Sequence, residues 1–236
     1  MKKLFHYSVL SVLSILLLSC SHSIKGEGEI TNKEIKISPI KEISANGTFR
    51  LIYLFDGNNP RIVIESYKNL IQNLKIENSD GKLTLSETNN VKDSDLYNIY
   101  IYNPQIEKFD IHNLVNVDIN SQLRASKLTI NLYDVSKFLA NTIVVDELNV
   151  NVNDVAGISL KGTSNTLNLT AEDTSNFMAP FLEVSEANIE LSDVAKAEIN
   201  VKSKLTGKIS DNSSLTIIGN PAKDIQQKDL AVINFK

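Results

Sequence analysis

The chain has 236 residues, a formal charge of -4, 42% hydrophobic and 22% charged residues. That composition fits one folded domain or at most two small ones, and it excludes both a disordered polymer and a multi-span membrane protein. Only three basic residues are arginine (Arg50, Arg61, Arg124) and the basic residues are spread along the chain, so no footprint for nucleic acid is present; one cysteine, three histidines and no tryptophan leave little material for metal or nucleophile chemistry, and no cofactor is expected.

The first element is a leader. Met1-Lys2-Lys3 precedes an apolar stretch from Tyr7 to Leu18, which at about 12 residues is too short for a ~20-residue membrane span and reads as a signal-peptide core. It ends in Leu17-Leu18-Ser19-Cys20, which resembles the bacterial lipobox: a small residue before the cut fits the peptidase, and the thiol accepts diacylglycerol. Residues 1–19 are therefore expected to leave as a lipoprotein signal peptide, with Cys20 the acylated first residue. More than one acyl chain, at ~0.8 kcal/mol per buried CH₂, makes the membrane attachment effectively permanent. Without the leader, 22 basic residues face 28 acidic ones, and no cysteine is left for a disulfide. Ser21 does not resemble the aspartate that retains some lipoproteins at the inner membrane, so the expected address is the outer membrane.

Residues 20–32 are small, polar and glycine-containing, the composition of a flexible tether. From 33 to 104 short alternating strands follow one another, among them Phe49 to Tyr53, Arg61 to Glu65, Lys82 to Leu85 and Tyr97 to Ile101. Turn signals such as Asn46-Gly47, Asp80-Gly81 and Asn103-Pro104 separate them. Tyr67 to Ile71 is the one stretch that reads as a helical turn, and the class is all-β.

From 105 to 221 the sequence repeats. Aligning on one aspartate gives Asp134, Asp154, Asp173, Asp193 and Asp211, at steps of about 20 residues. Each is preceded by an alternating strand (Leu148 to Val152, for example), and most are followed by a shorter apolar piece such as Ile158-Ser159-Leu160. A unit of this size cannot bury its own apolar stripe and must stack on its neighbours. The expected architecture is a single-domain parallel β-helix with coils of about 18–20 residues; if the irregular first half adds three or four more coils, the rod is about 45 Å long. After Gly219-Asn220-Pro221 the pattern breaks, and 222–236 is expected to fold over the last coil as a cap, with Ile225, Leu230, Val232 and Ile233 closing its apolar end.

Within the repeats, Asn131, Asn149, Asn151, Asn168 and Asn188 fall near one place in successive coils, where amides can form a ladder that pins the register. The aspartate column would repel itself without donors, lysines such as Lys137 and Lys196, or a cation. Aspartate bonding the backbone two residues on is the plain account of such a corner, and the calcium-binding Gly-Gly-x-Gly-x-Asp spacing is absent. His6 lies in the leader and His22 in the tether, which leaves His112, from which neither a zinc site nor a Ser-His-Asp arrangement can be built. Tyr100 and Tyr102 alternate with Ile99 and Ile101. If the isoleucines face the core, the tyrosines line the outside, where they could stack on sugar rings or be covered by a loop; they are the candidate ligand-binding residues.

The lipobox, Gly26-Glu27-Gly28, the segment Ile43 to Leu51, the strand Arg61 to Glu65 and Asp80-Gly81 running into Leu83 and Leu85, in that order and followed by coils, resemble the head GIN domain family of secreted or lipid-anchored proteins in Gram-negative bacteria, described as auto-transporter adhesins. The resemblance runs from about Gly26 to Gly219. It implies a right-handed β-helix and brings no catalytic residues. Family corners are typically Ser-Gly rich, whereas Asp-Val-Ala or Asp-Val-Ser stands here.

The expected function is therefore that of a lipid-anchored, non-enzymatic binding or adhesion protein of the cell envelope, its partner a glycan or a protein. A polysaccharide-active lyase on the same scaffold, and an envelope component that binds another protein, are the alternatives.

Overall fold

The computed structural model describes residues 23–93 and 95–236; the leader 1–19 and Cys20 lie outside the described residues. In chain order the strands are β1 (Ile24–Lys25), β2 (Ile30–Lys36), β3 (Glu42–Gly47), β4 (Arg50–Phe55) and β5 (Arg61–Tyr67), followed by the short helix α1 (Lys68–Asn73). Then come β6 (Leu74–Ser79), β7 (Lys82–Glu87), β8 (Val91–Asp93), β9 (Tyr97–Asn103), β10 (Lys108–Asn113) and β11 (Asn116–Ile119). The repeats form β12 (Leu123–Leu132) and the long strands β13 (Lys137–Val152), β14 (Gly157–Ala171), β15 (Asn176–Leu191) and β16 (Lys196–Ile209), ahead of β17 (Ser214–Ile218), β18 (Ala222–Gln227) and β19 (Val232–Phe235). Of the described residues 68% are strand and 3% helix, and they form a β-solenoid of about six turns.

Alternation generates the core. Leu128, Leu148, Leu167, Ala187 and Leu205 lie in parallel register on one face, and Phe138, Ile158, Phe177, Ala197 and Leu215 on the other. All are buried. Equivalent residues of successive coils stack directly, as the repeat demands, and each fully buried aliphatic side chain contributes about 1.5–3 kcal/mol. Each long strand carries both faces: 137–140 belongs to the second, 147–152 to the first, and 143–145 joins them.

Only the corner interrupts the strand. It is a four-residue turn in which Ser136 N-H donates to the Tyr133 carbonyl, and the same bond recurs from Ala156 to Asn153, Ser175 to Glu172, Ala195 to Ser192, Ser213 to Ser210 and Ala231 to Lys228. The second residue is always aspartate with φ of 55° to 61°, a left-handed backbone that aspartate tolerates and most residues do not. The fourth is serine or alanine, fully enclosed, because nothing larger fits inside the bend. The carboxylate does not bond its own turn two residues on. Asp134 Oδ2 instead accepts the amide of Asn113 at 2.8 Å, Asp154 that of Asp134 at 3.0 Å, Asp173 that of Asp154 at 3.3 Å, and the pattern continues through Asp193 and Asp211. Each of these five aspartates thus ties its coil to the preceding one.

The first half departs from a simple stack. The β3–β4 coil lies between the β7–β9 coil and the β10–β11 coil, so spatial order is not chain order. Antiparallel strands finish this end: β5 on β9, β2 on β5 and β6 on β7, with Leu70 and Ile71 of α1 buried beneath them. The first half therefore supplies two parallel coils and an antiparallel cap in place of three or four further coils. Nor is 20–32 wholly a tether: Ile24–Lys25 pairs with β8 and strand β2 begins at Ile30. Gly26 lies against the Tyr67 ring, where an added Cβ would come within 2.2 Å.

At the other end, 222–236 lies over the last coil with Ile225 and Ile233 packed against the core, and it does so as one further coil. β18 continues the stack on β16 and β19 on β17, both parallel, because Asp229 supplies one more corner at φ 55°. Leu230 and Val232 point outward, 75% and 48% exposed. What this coil changes is the inward column: Lys223 stands in register with Leu205, and Gln227 with Ile209. The Lys223 ammonium sits 4.0 Å from the Phe235 ring centroid, and Gln227 Nε2 donates to the Ala231 carbonyl. Inward-pointing polar groups of this kind blunt a sheet edge against further pairing.

Replacing Asp134 by alanine removes both its tolerance of the left-handed backbone and its inter-coil bond, at a cost of about 2 kcal/mol. Urea unfolding should rank the parent and Asp134→Asn together, Asp134→Gly below them and Asp134→Ala lowest. A second expectation concerns alkaline pH. Tyr53, 1% exposed, donates to the Asn103 carbonyl, and burial pushes its hydroxyl up to about 12; Tyr97 donates to the Leu70 carbonyl and is raised by the same cause. The fold holds both phenols neutral while the unfolded chain releases their protons near 10. Their contribution is thus complete below about pH 10 and falls as pH rises, by about 1.4 kcal/mol per pH unit for each tyrosine. Denaturant titrations at about pH 9 and about pH 11 should show the loss, and Tyr97→Phe should halve it.

Candidate functional site

The two outer faces use their polar residues differently. On the first face, Asn151 Nδ2 donates to Asn131 Oδ1 and Asn168 Nδ2 to Asn149 Oδ1, each at 2.8 Å, and Thr206 Oγ1 donates to Asn188 Oδ1. The expected single asparagine column is two adjacent columns, since residues 149 and 151 both point outward in one strand. These amides bind one another, coil to coil, and hold the register.

The second face has no such ladder. Its first outward column reads Asn116, Lys137, Gly157, Asn176 and Lys196, and its second Asp118, Leu139, Ser159, Met178 and Glu198. Gly157 removes one side chain from the first column. An ideal Cβ built there meets nothing within 4 Å, and its φ lies outside the left-handed region, so no backbone demand requires the glycine. The result is a groove of about 710 Å³ over Gly157, with Val155, Leu139 and Met178 as apolar walls and Asn116, Lys137, Asn176, Ser159 and Thr174 around them. Val155 is 60% exposed, and Leu139 and Met178 are also solvent-facing. One carboxylate, Asp118, reaches the lining, and it is bound to Arg50. Along the corner beside the groove, Val135, Val155 and Val194 are exposed next to the aspartates, with Thr174 standing between the last two.

The residues expected from sequence fall elsewhere. Ile99 and Ile101 are buried and Tyr100 and Tyr102 do lie on the outer side of β9, half-buried. Tyr100 donates to Glu65, and burial followed by that bond raises its hydroxyl. The Tyr102 ring lies 3.7 Å beneath the Arg61 guanidinium, which Asp56 grips from the other side at 2.8 Å. Arg61 and then the amides of Asn58 and Asn59 hold the Asp56 carboxyl below its usual value. His112 stacks on Tyr133 at 4.6 Å with its Nε2 3.7 Å from Asp110. Among the described residues no three of His, Cys, Asp and Glu gather in a metal-binding group, and the corner carboxylates of Asp134, Asp154, Asp173, Asp193 and Asp211 accept backbone amides.

Gly157 and Asp229 were absent from the sequence-derived set, and both carry a signal. Asp229 follows Asp211 by the same step that separates Asp211 from Asp193. Gly157 occupies the position three after the corner aspartate, where the neighbouring coils have Lys137 and Asn176.

Solved structures share this fold. A putative adhesin from Bacteroides fragilis superposes with a TM-score of 0.85 at 19% identity, covering 91% of this chain and all of that one. A putative adhesin from Parabacteroides distasonis gives 0.73 at 16% identity, with 90% and 100% covered. A protein from the same species described as a putative lipid binding protein gives 0.72 at 16%, with 91% and 100% covered. No curated protein matches the sequence. The family described as "Putative auto-transporter adhesin, head GIN domain" matches residues 39–221, and the chain belongs to that family.

Proposed function

We propose that the chain is a non-enzymatic adhesion protein of the cell envelope, anchored in the outer membrane by acylated Cys20, which engages its partner through the groove over Gly157. The observation that carries the binding role is the groove itself: one glycine in a column of long side chains opens an apolar hollow that the backbone does not need. Its size falls in the range of ligand sites. The lining contributes a single carboxylate, already bound to Arg50, which supports binding over acid–base turnover. Tyr100 and Tyr102 are engaged by Glu65 and Arg61 and have a structural part in this reading. The anchor rests on Leu17-Leu18-Ser19-Cys20, and the adhesin description of the family and its solved relatives supports an envelope location.

The anchor is tested by fractionation: the parent stays with the membranes and Cys20→Ala moves to the soluble fraction, whereas identical partitioning of the two removes the anchor. The groove is tested by filling it. Because Gly157 has open space at its Cβ, Gly157→Leu should change stability by no more than about 0.5 kcal/mol. Binding of the purified Cys20→Ala protein to whole cells should fall about tenfold on adding Gly157→Leu, a loss of about 1.4 kcal/mol. Equal binding by variant and parent, at equal Tm, excludes the groove from the function.

A further inference from the structure

The groove is amphipathic in a specific way. Its floor and walls are aliphatic, while Asn116, Lys137, Ser159, Thr174 and Asn176 make no side-chain hydrogen bond or ion pair among the described residues. On the first face the amides of Asn149, Asn151 and Asn168 are consumed by the ladder. On the second, Gly157 separates Lys137 from Asn176 and leaves their donors and acceptors turned to solvent. A complementary ligand therefore has an apolar C-H face and an equatorial rim of hydroxyl groups.

We propose that the groove binds a pyranose unit of a glycan chain, with the ring's apolar face over Gly157 between Val155, Leu139 and Met178, and its hydroxyls bonded by Lys137 and Asn176. This rests on the groove being the binding site and names the ligand class. A pyranose unit is about as long as one coil spacing, ~4.8 Å, so a chain running along the solenoid places its next unit over the Lys137–Leu139 coil and the one after it at Asn116 and the Arg50–Asp118 pair. Two other occupants fit less well. An added peptide strand needs a free backbone edge, and the backbone at Gly157 is already paired on both sides, to Lys137 and to Asn176. An anionic lipid surface would bring its headgroups against the corner aspartates beside Val135, Val155 and Val194.

The experiment is calorimetric titration of the Cys20→Ala protein with oligosaccharides of neutral hexoses, of N-acetylhexosamines and of uronic acids. At least one set should bind with a Kd of about 10 μM to 1 mM. Gly157→Leu should weaken that binding about tenfold and Asn176→Ala about fivefold, whereas Asn168→Ala, on the ladder face, should leave it unchanged. Failure of all three sets at about 10 mM overturns the sugar assignment, as does binding that persists in Gly157→Leu. If whole-cell binding depends on the groove but no oligosaccharide binds, the groove stands and the sugar falls. Groove-dependent binding of anionic phosphatidylglycerol vesicles in place of sugar has the same consequence.

Discussion

The regular coils depend on one inter-coil bond, the corner carboxylate accepting the backbone amide of the corner residue one coil earlier. It answers two demands at a single residue. The chain must turn sharply enough that only serine or alanine fits inside, which forces a left-handed backbone. A carboxylate at that position must also find a donor, since a column of like charges one coil apart is otherwise repulsive. The amide of the previous corner meets the second need, and in doing so fixes the height of each coil on the last. Once that register is set, every inward leucine, isoleucine and phenylalanine falls on its counterpart, and every outward residue belongs to a column.

Columns make the surface legible as a set of choices. The first face is filled with amides that bind one another, which makes it rigid and self-satisfied. The second is assembled from the same strands but keeps its polar groups apart and leaves out one side chain at Gly157. Neither face is concave by architecture, since the coils between corners are flat and short. Relief on a solenoid flank arises from side-chain size alone, so a single glycine can create a binding site without altering the scaffold, and one substitution can erase it.

The repeated aspartates, the alternating strands and their common step were enough to derive the parallel coils and to place Leu148, Val150, Val152, Ile158 and Leu160 inside. What escaped was whatever requires two coils to be seen together. The asparagines look like one column until adjacent outward positions of a strand are separated by register. Gly157 looks like an ordinary glycine until Lys137 and Asn176 are set on either side of it. The coil after Pro221 is hidden because that proline breaks the local pattern, although Asp229 keeps the step. The leading coils resist for another reason: antiparallel and parallel pairings share one local alternation, and nothing in β3 or β4 announces which later segment will lie above and which below.

That arrangement has a consequence for how the chain acquires its shape. β3 pairs with β7, about 40 residues later, and with β10, about 66 residues later, whereas each regular coil meets its neighbour after only about 20 residues. Closing the longer loops costs more chain entropy and is slower. A nascent polypeptide delivered N-terminus first leaves one side of Ile43, Leu51 and Tyr53 uncovered until Ile119 has arrived, while the aspartate-cornered coils can zip as soon as two of them exist. Ordering is therefore expected to begin in the half synthesised last and to travel back along the solenoid, so that the coil of β3 and β4 is among the final parts to close.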